Sequence, residues 1–158
     1  MALRNIRIDE DPVLRKRARE IDQITDRIKV LRDDMLETMY DAEGIGLAAN
    51  QVGILRRIVV VDIGEGPITL INPVIIEEYG CQDGLEGCLS IPDVTGRVER
   101  PEKIVVEFTD IDGKNNTLVA EELLARAICH EVDHLNGVLF TDKVVEEELT
   151  EFDEEVDE

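Results

Sequence analysis

Two helix-like stripes bracket a stretch of strand-like alternation. Ile28, Leu31, Met35 and Met39 recur three or four residues apart, which places them on one face of a helix. The pattern predicts a helix that begins near Thr25, a capping side chain, and stops at Gly44. Core packing is the plainest use of such a stripe. Leu123, Ala127, His130 and His134 repeat the spacing and predict a second helix over roughly 121–136, with Gly137 at its end. Between them, Ile58 to Val61 is a β-branched run, and Ile68 to Ile76 is another, broken by Asn72-Pro73. Ile104 to Phe108 alternates with charge, and Asp112-Gly113 is a turn signal joining it to Thr117–Val119. Asp11-Pro12 offers a cap and a first-turn proline for a short helix near the start. The order predicts an α+β fold of mostly antiparallel strands around a central helix, with a further helix near the N-terminus, and not an alternating βαβ series.

Composition narrows the picture. A chain of 158 residues suits one domain, expected over 1–145, with 146–158 as its acidic tail or helix. The formal net charge is −20, so the surface as a whole should repel nucleic acid and anionic membranes. From Glu146 to Glu158 there are nine acidic residues and no basic one, the pattern of a solvated tail. Three cysteines (Cys81, Cys88 and Cys129) are an odd number, which favours reduced thiols or metal binding over disulfides. Met1 to Ile8 contains no apolar core of signal-peptide length, and no apolar run reaches membrane-spanning length. The expected location is the cytoplasm, away from any membrane.

The candidate chemistry lies on the second helix. Both histidines of the chain fall in His130-Glu131-Val132-Asp133-His134. At i and i+4 their imidazoles share a face and can reach one metal ion. Glu131 projects about 100° away, beside such an ion without necessarily binding it, where a carboxylate can take a proton from an attacking water. A catalytic site of this type needs a third protein ligand. Cys88, Cys81 and an acidic residue of Glu146 to Glu148 are the candidates, and Glu86-Gly87-Cys88-Leu89-Ser90 gives Cys88 the best local setting. Gly44-Ile45-Gly46-Leu47-Ala48-Ala49-Asn50-Gln51 clears side chains from a stretch of backbone that something must approach closely. It lacks the leading strand and third glycine of a dinucleotide site, and the lysine of a phosphate loop.

Together these three segments resemble the signature motifs of the peptide deformylase family, in the same order. Leu70-Ile71-Asn72-Pro73, Ser90-Ile91-Pro92, Arg100-Pro101 and the run from Leu123 to Phe140 extend the resemblance to about Val145. Cys129 departs from the glutamine common before the first histidine, and its helix position turns it away from the metal. The acidic end also lacks the basic, amphipathic character suited to docking on ribosomal RNA.

The resemblance implies hydrolysis of the formyl group from N-formylmethionyl peptides. It assigns Cys88, His130 and His134 to one divalent metal, iron(II) in the cell and zinc where it replaces iron during preparation. It makes Glu131 the proton carrier and gives the developing oxyanion to the Gln51 amide and the Leu89 backbone N–H. It sets a methionine pocket beside Ile45, Glu86, Leu123 and Ala127, with the Gly46 backbone pairing with the substrate. Its partners are formylated peptides and a transient contact with the ribosome. Two rivals differ in kind: a zinc peptidase whose third ligand is an acidic tail residue, and a non-enzymatic acidic module stiffened by structural metal.

Overall fold

The structure, a computed structural model, describes residues 2–145 and the backbone of 150–151. Its strands are β1 (Gly46–Ala48), β2 (Ile58–Val61), β3 (Ile68–Tyr79), β4 (Gln82–Cys88), β5 (Ile91–Arg100), β6 (Lys103–Thr109), β7 (Asn115–Glu121) and β8 (Thr150–Glu151). Its α-helices are α1 (Asp26–Asp41) and α2 (Glu122–Leu135). One sheet runs in the order β1-β2-β3-β6-β7 and the other β4-β5-β8, and all these strand pairs are antiparallel. The expected α+β class is the observed one.

The continuous apolar run of β2 has a direct cause. Val59 and Val61 face the core shared with α2, while Ile58 and Val60 face the core shared with α1. A strand covered on both faces has no polar side, so alternation disappears. The two helices therefore flank β1 and β2, and α2 lies inside the fold.

Two sequence expectations need correction. Asn72-Pro73 does not break its strand, because β3 runs through to Tyr79 with a register shift between Ile71 and Val74. Asn72 takes φ +52, its amide bridges the backbone of Ile21 at 2.9 and 2.8 Å, and Pro73 falls within the shift. Gly44 is not what turns α1 off. Glu43 takes the left-handed position at φ +61, and the Gly44 N–H closes the end on the Met39 carbonyl at 2.9 Å. The glycine-rich segment contains β1 followed by a 3-10 turn, Ala49–Val52.

The turn at Asp112-Gly113 joins β6 to β7 as expected, with Gly113 at φ +88 and its N–H on the Asp110 carbonyl at 2.9 Å. The short N-terminal helix is a 3-10 turn, Pro12–Arg15, capped by Asp11. Most of the acidic tail lies outside the described residues. Of it, Thr150–Glu151 pairs with Val94 and Thr95 on β5.

Candidate metal centre and cleft

The end of β4 carries Cys88 to the middle of α2. Cys88, His130 and His134 each offer a donor atom, and these atoms lie within 4.8 Å of one another. Cys88 Sγ is 3.2 Å from His134 Nε2. His130 Nδ1 is 2.9 Å from Glu86 Oε1, which leaves its Nε2 for the cluster. Both rings are buried, and Cys88 is half-buried. Among the described residues this is the one such group of three. Cys81 is exposed and outside it, and Glu146 to Glu148 lie outside the described residues. A thiolate with two imidazoles suits zinc or iron(II).

Protonation within the cluster also fits a cation. Burial pushes His134 well below the usual histidine range, and the neighbouring His130 charge adds to that. Burial acts the same way on His130, but the Cys88 sulfur and Glu86 outweigh it and raise its pKa to about 10. An ion entering this site displaces that proton. Glu131 is buried at the cleft wall, and burial is the main reason its carboxyl is pushed up to about 7. Its Oε1 is buried with no hydrogen-bond partner among the described residues. Such an orphan carboxylate oxygen is costly unless something polar comes to it.

The two glycines of the first motif make room for this chemistry. A Cβ on Gly46 would sit 2.6 Å from Glu131 Oε2, and one on Gly44 would sit 2.7 Å from a Leu89 methyl. Gln51 closes the same corner. Its Oε1 accepts from the Ala48 N–H at 2.9 Å, and its Nε2 donates to Ser90 Oγ at 3.1 Å and lies 3.6 Å from Cys88 Sγ. The Ser90 N–H points to the same sulfur at 3.4 Å.

A cleft of about 360 Å³ opens on these groups. Ile45, Gly46, Gln51, Glu86, Cys88, Leu89, Leu123, Ala127, His130 and Glu131 all line it, so every sequence-selected residue except His134 reaches the cavity wall. His134 lies behind it, fully buried. Leu123 was expected on an inward-facing stripe but is 47% exposed at the rim, with Ile45 at 43% and Leu85 at 61%. The helix face looks into an open cleft instead of a closed core. Cys129 turns into the core as expected, and burial pushes its thiol up to about 12.

Sequence reasoning missed the ionic scaffold behind the site. Glu86 lines the cleft, yet its carboxylate is committed elsewhere. It accepts from Arg100 at 2.8 and 2.9 Å, from Arg126 at 2.7 Å, and faces His130 Nδ1 at 2.9 Å. Burial alone would raise its pKa, but Arg100 and then His130 hold it well below the carboxylate range. Arg100 also reaches Asp133 at 2.7 Å, and Arg126 reaches the Val98 carbonyl at 3.1 Å. An arginine four residues before His130, set among Leu123, Leu124, Ala125, Ala127 and Ile128, was the signal available in the sequence.

The family model for polypeptide deformylase matches residues 3–150. A curated peptide deformylase of Alkaliphilus metalliredigens is 58% identical over 147 residues, 93% of this chain and 100% of that protein. The crystal structure of peptide deformylase from Thermotoga maritima superposes with a TM-score of 0.89 at 41% identity, covering 91% of this chain and 99% of that one. That of a peptide deformylase from Ehrlichia chaffeensis in complex with actinonin gives 0.90 at 35% identity, covering 92% and 91%. With its cleft, its Cys-His-His cluster and these relatives, the chain belongs to the peptide deformylase family.

Proposed function

We propose that Cys88, His130 and His134 hold the one metal ion of this deformylase, and that Glu131 carries the proton as the chain hydrolyses the formyl group of N-formylmethionyl peptides. The convergence of three donors beside an unpartnered buried carboxylate, all on one cleft, is the observation that supports this assignment. When bound, the ion supplies Lewis acidity, polarising the formyl oxygen and drawing the pKa of a water molecule toward neutrality. Glu131 accepts the proton of the attacking water and passes it to the leaving amine. The Gln51 Nε2–H and the Leu89 backbone N–H stabilise the developing oxyanion. Gln51 is fixed for this through its Oε1, which the Ala48 N–H holds. Formate and a free N-terminal methionine leave.

The methionine side chain occupies the wall formed by Ile45, Glu86, Leu123 and Ala127, and the peptide backbone pairs with Gly46 on the edge strand β1. Tightness near Gly46 and Leu89 excludes larger acyl groups, so a formyl peptide should be cleaved far faster than its acetyl analogue. Equal rates would dispose of that account. Residues 1–145 form the catalytic unit, with 146–158 an appendage of the same domain.

Iron(II) is the ion we assign in the cell. An iron–thiolate centre is open to oxidation at Cys88, so activity should decay faster in air than under argon. Identical decay curves would count against iron. No helix among the described residues is long and apolar enough to cross a membrane. We assign the enzyme to the cytoplasm, where it meets new peptides by transient contact with the ribosome. The test of the whole reading is formate release from formyl-Met-Ala-Ser on metal-quantified protein. Chelation should abolish it, and undiminished release by metal-free protein would refute it.

A further inference from the structure

The net charge of −20 hides one face of opposite sign. Four of the chain's 17 lysines and arginines fall within five residues, Arg15-Lys16-Arg17-Ala18-Arg19. This segment is extended after its 3-10 turn, and Ala18 is buried, so Arg17 and Arg19 on either side project outward. Arg19 forms a parallel bridge with Arg56, and the Arg57 N–H donates to the Arg19 carbonyl at 2.9 Å. The fold thus brings two separate basic pairs into one row.

The row is short of anions. Arg17 and Arg57 both donate to one neutral oxygen, Asn136 Oδ1, each at 2.9 Å. Burial, then the Arg17 charge, lowers the Arg57 pKa. Arg56 Nε is buried with no hydrogen-bond partner, and among the described residues neither Lys16 nor Arg19 makes a side-chain hydrogen bond or ion pair. Asp142 is occupied by Arg15 at 2.6 Å and Asp11 by Arg7 at 3.0 Å, while exposed Glu10, Glu20 and Asp22 flank the segment in sequence without a side-chain hydrogen bond or ion pair to Lys16 or Arg19 among the described residues. Helix capping explains part of this. Arg57 reaches the Leu135 carbonyl at 3.1 Å and Arg15 the Gly137 carbonyl at 3.4 Å, both at the end of α2. Capping gives no role to Lys16, Arg19 or Arg56.

We infer that the row Lys16, Arg17, Arg19 and Arg56 is a docking surface for the phosphate backbone of RNA, with the catalytic cleft left open. Guanidinium forks match phosphate oxygens, and an extended row of them follows a polymer of regular charge. A bilayer fits less well. None of the exposed large apolar side chains falls within residues 10–29 or 46–73, so nothing there would insert. The row sits at the C-terminal end of α2, whereas Leu123 near the start of that helix marks the cleft rim. The acidic remainder of the surface is screened beyond about 10 Å at 0.1 M salt, which leaves the row free to act at contact range. The proposal departs, at this one face, from the expectation of no nucleic-acid contact that the net charge gives.

The probe is a fluorescent oligouridylate of about 12 nucleotides, within the span of single-strand sites, titrated with the full-length enzyme. Three or four neutralised phosphates predict a log–log salt slope of about −2 to −3, a loss of roughly 20–50-fold between about 50 and 200 mM salt. The variant K16Q/R19Q/R56Q should bind at least tenfold more weakly at the lower salt, with kcat/KM for formate release unchanged. K16Q/R19Q, altering exposed residues alone, is the companion should the buried Arg56 Nε matter for folding, and it should lose most of the same affinity. Absence of binding, or binding that both variants retain, overturns the proposal. So does equal binding of poly-glutamate or of vesicles rich in anionic lipid, which would reassign the row to an acidic protein or a membrane. Binding is read apart from formate release, so it stands or falls independently of the catalytic assignment.

Discussion

The two α-helices flank the same strands and are built on different principles. α1 is locally self-sufficient. Thr25 caps it, its Oγ1 accepting from the Ile28 N–H at 3.4 Å, and its buried stripe of Ile28, Leu31, Met35 and Met39 does nothing but pack. α2 has no side-chain cap. Its first residue, Glu122, sits at φ +55, and its start is held from outside by the Glu102 carbonyl and the Gln82 amide, each at 2.8 Å. It buries Arg126, His130, Glu131 and His134, whereas α1 buries only Asp34 and Thr38 among polar residues. Asp34 in turn is satisfied by the N-terminal segment, through the Ala2 N–H and Arg4. Equal spacing on the two helices therefore conceals opposite uses. A stripe that contains ionisable groups has to be held by tertiary partners, and those partners position the reacting groups.

The sharpest way to break the comparison is to alter α2 chemistry without altering its packing. Glu131→Gln keeps size and shape but removes the proton carrier, so turnover should fall by ~10²–10⁴ with the metal retained. Full activity in a metal-replete variant would place the general base elsewhere. Next in size is Gly46→Ala. The added methyl falls 2.6 Å from Glu131 Oε2 and must push that carboxylate aside, and a displacement of this kind costs on the order of 10² in rate. Steady-state kinetics beside a thermal melt would separate this from simple destabilisation. Arg126→Leu removes the brace from α2 to Glu86 and the Val98 carbonyl, and metal affinity should weaken by roughly 10–100-fold. Competition with a chelator measures that change. The smallest effect belongs to α1. Thr25→Ala should cost about 1 kcal/mol of stability and leave kcat/KM untouched, as read by denaturant titration and formate release.

The same contrast explains what the sequence disclosed. α1, β2, β6 and α2 were legible because periodicity or β-branching is written into contiguous residues. β4 and β5 were not. Gln82–Cys88 and Ile91–Arg100 carry glycines, charges and a proline, and they pair because each supplies the other's edge. β1 was equally hidden, since Gly46 is there to admit the Glu131 carboxylate and not to favour a strand. At the site, Cys88, His130 and Glu131 could be named from residue type and motif. The Glu86–Arg100–Arg126 network could not, because it joins three elements whose distance in sequence says nothing of their contact. Glycine marked close approach in the first motif, but the objects approaching, Leu89 and Glu131, emerged only with the fold.

The central claim is that one sulfur and two imidazoles grip a single ion. It is tested most directly by metal content and formate release measured on the same preparations of wild type and Cys88→Ala. The account predicts about one ion per chain in the wild type, with loss of bound metal and of chelator-sensitive activity together in the variant. A Cys88→Ala protein that keeps a full complement of metal and its turnover would contradict it.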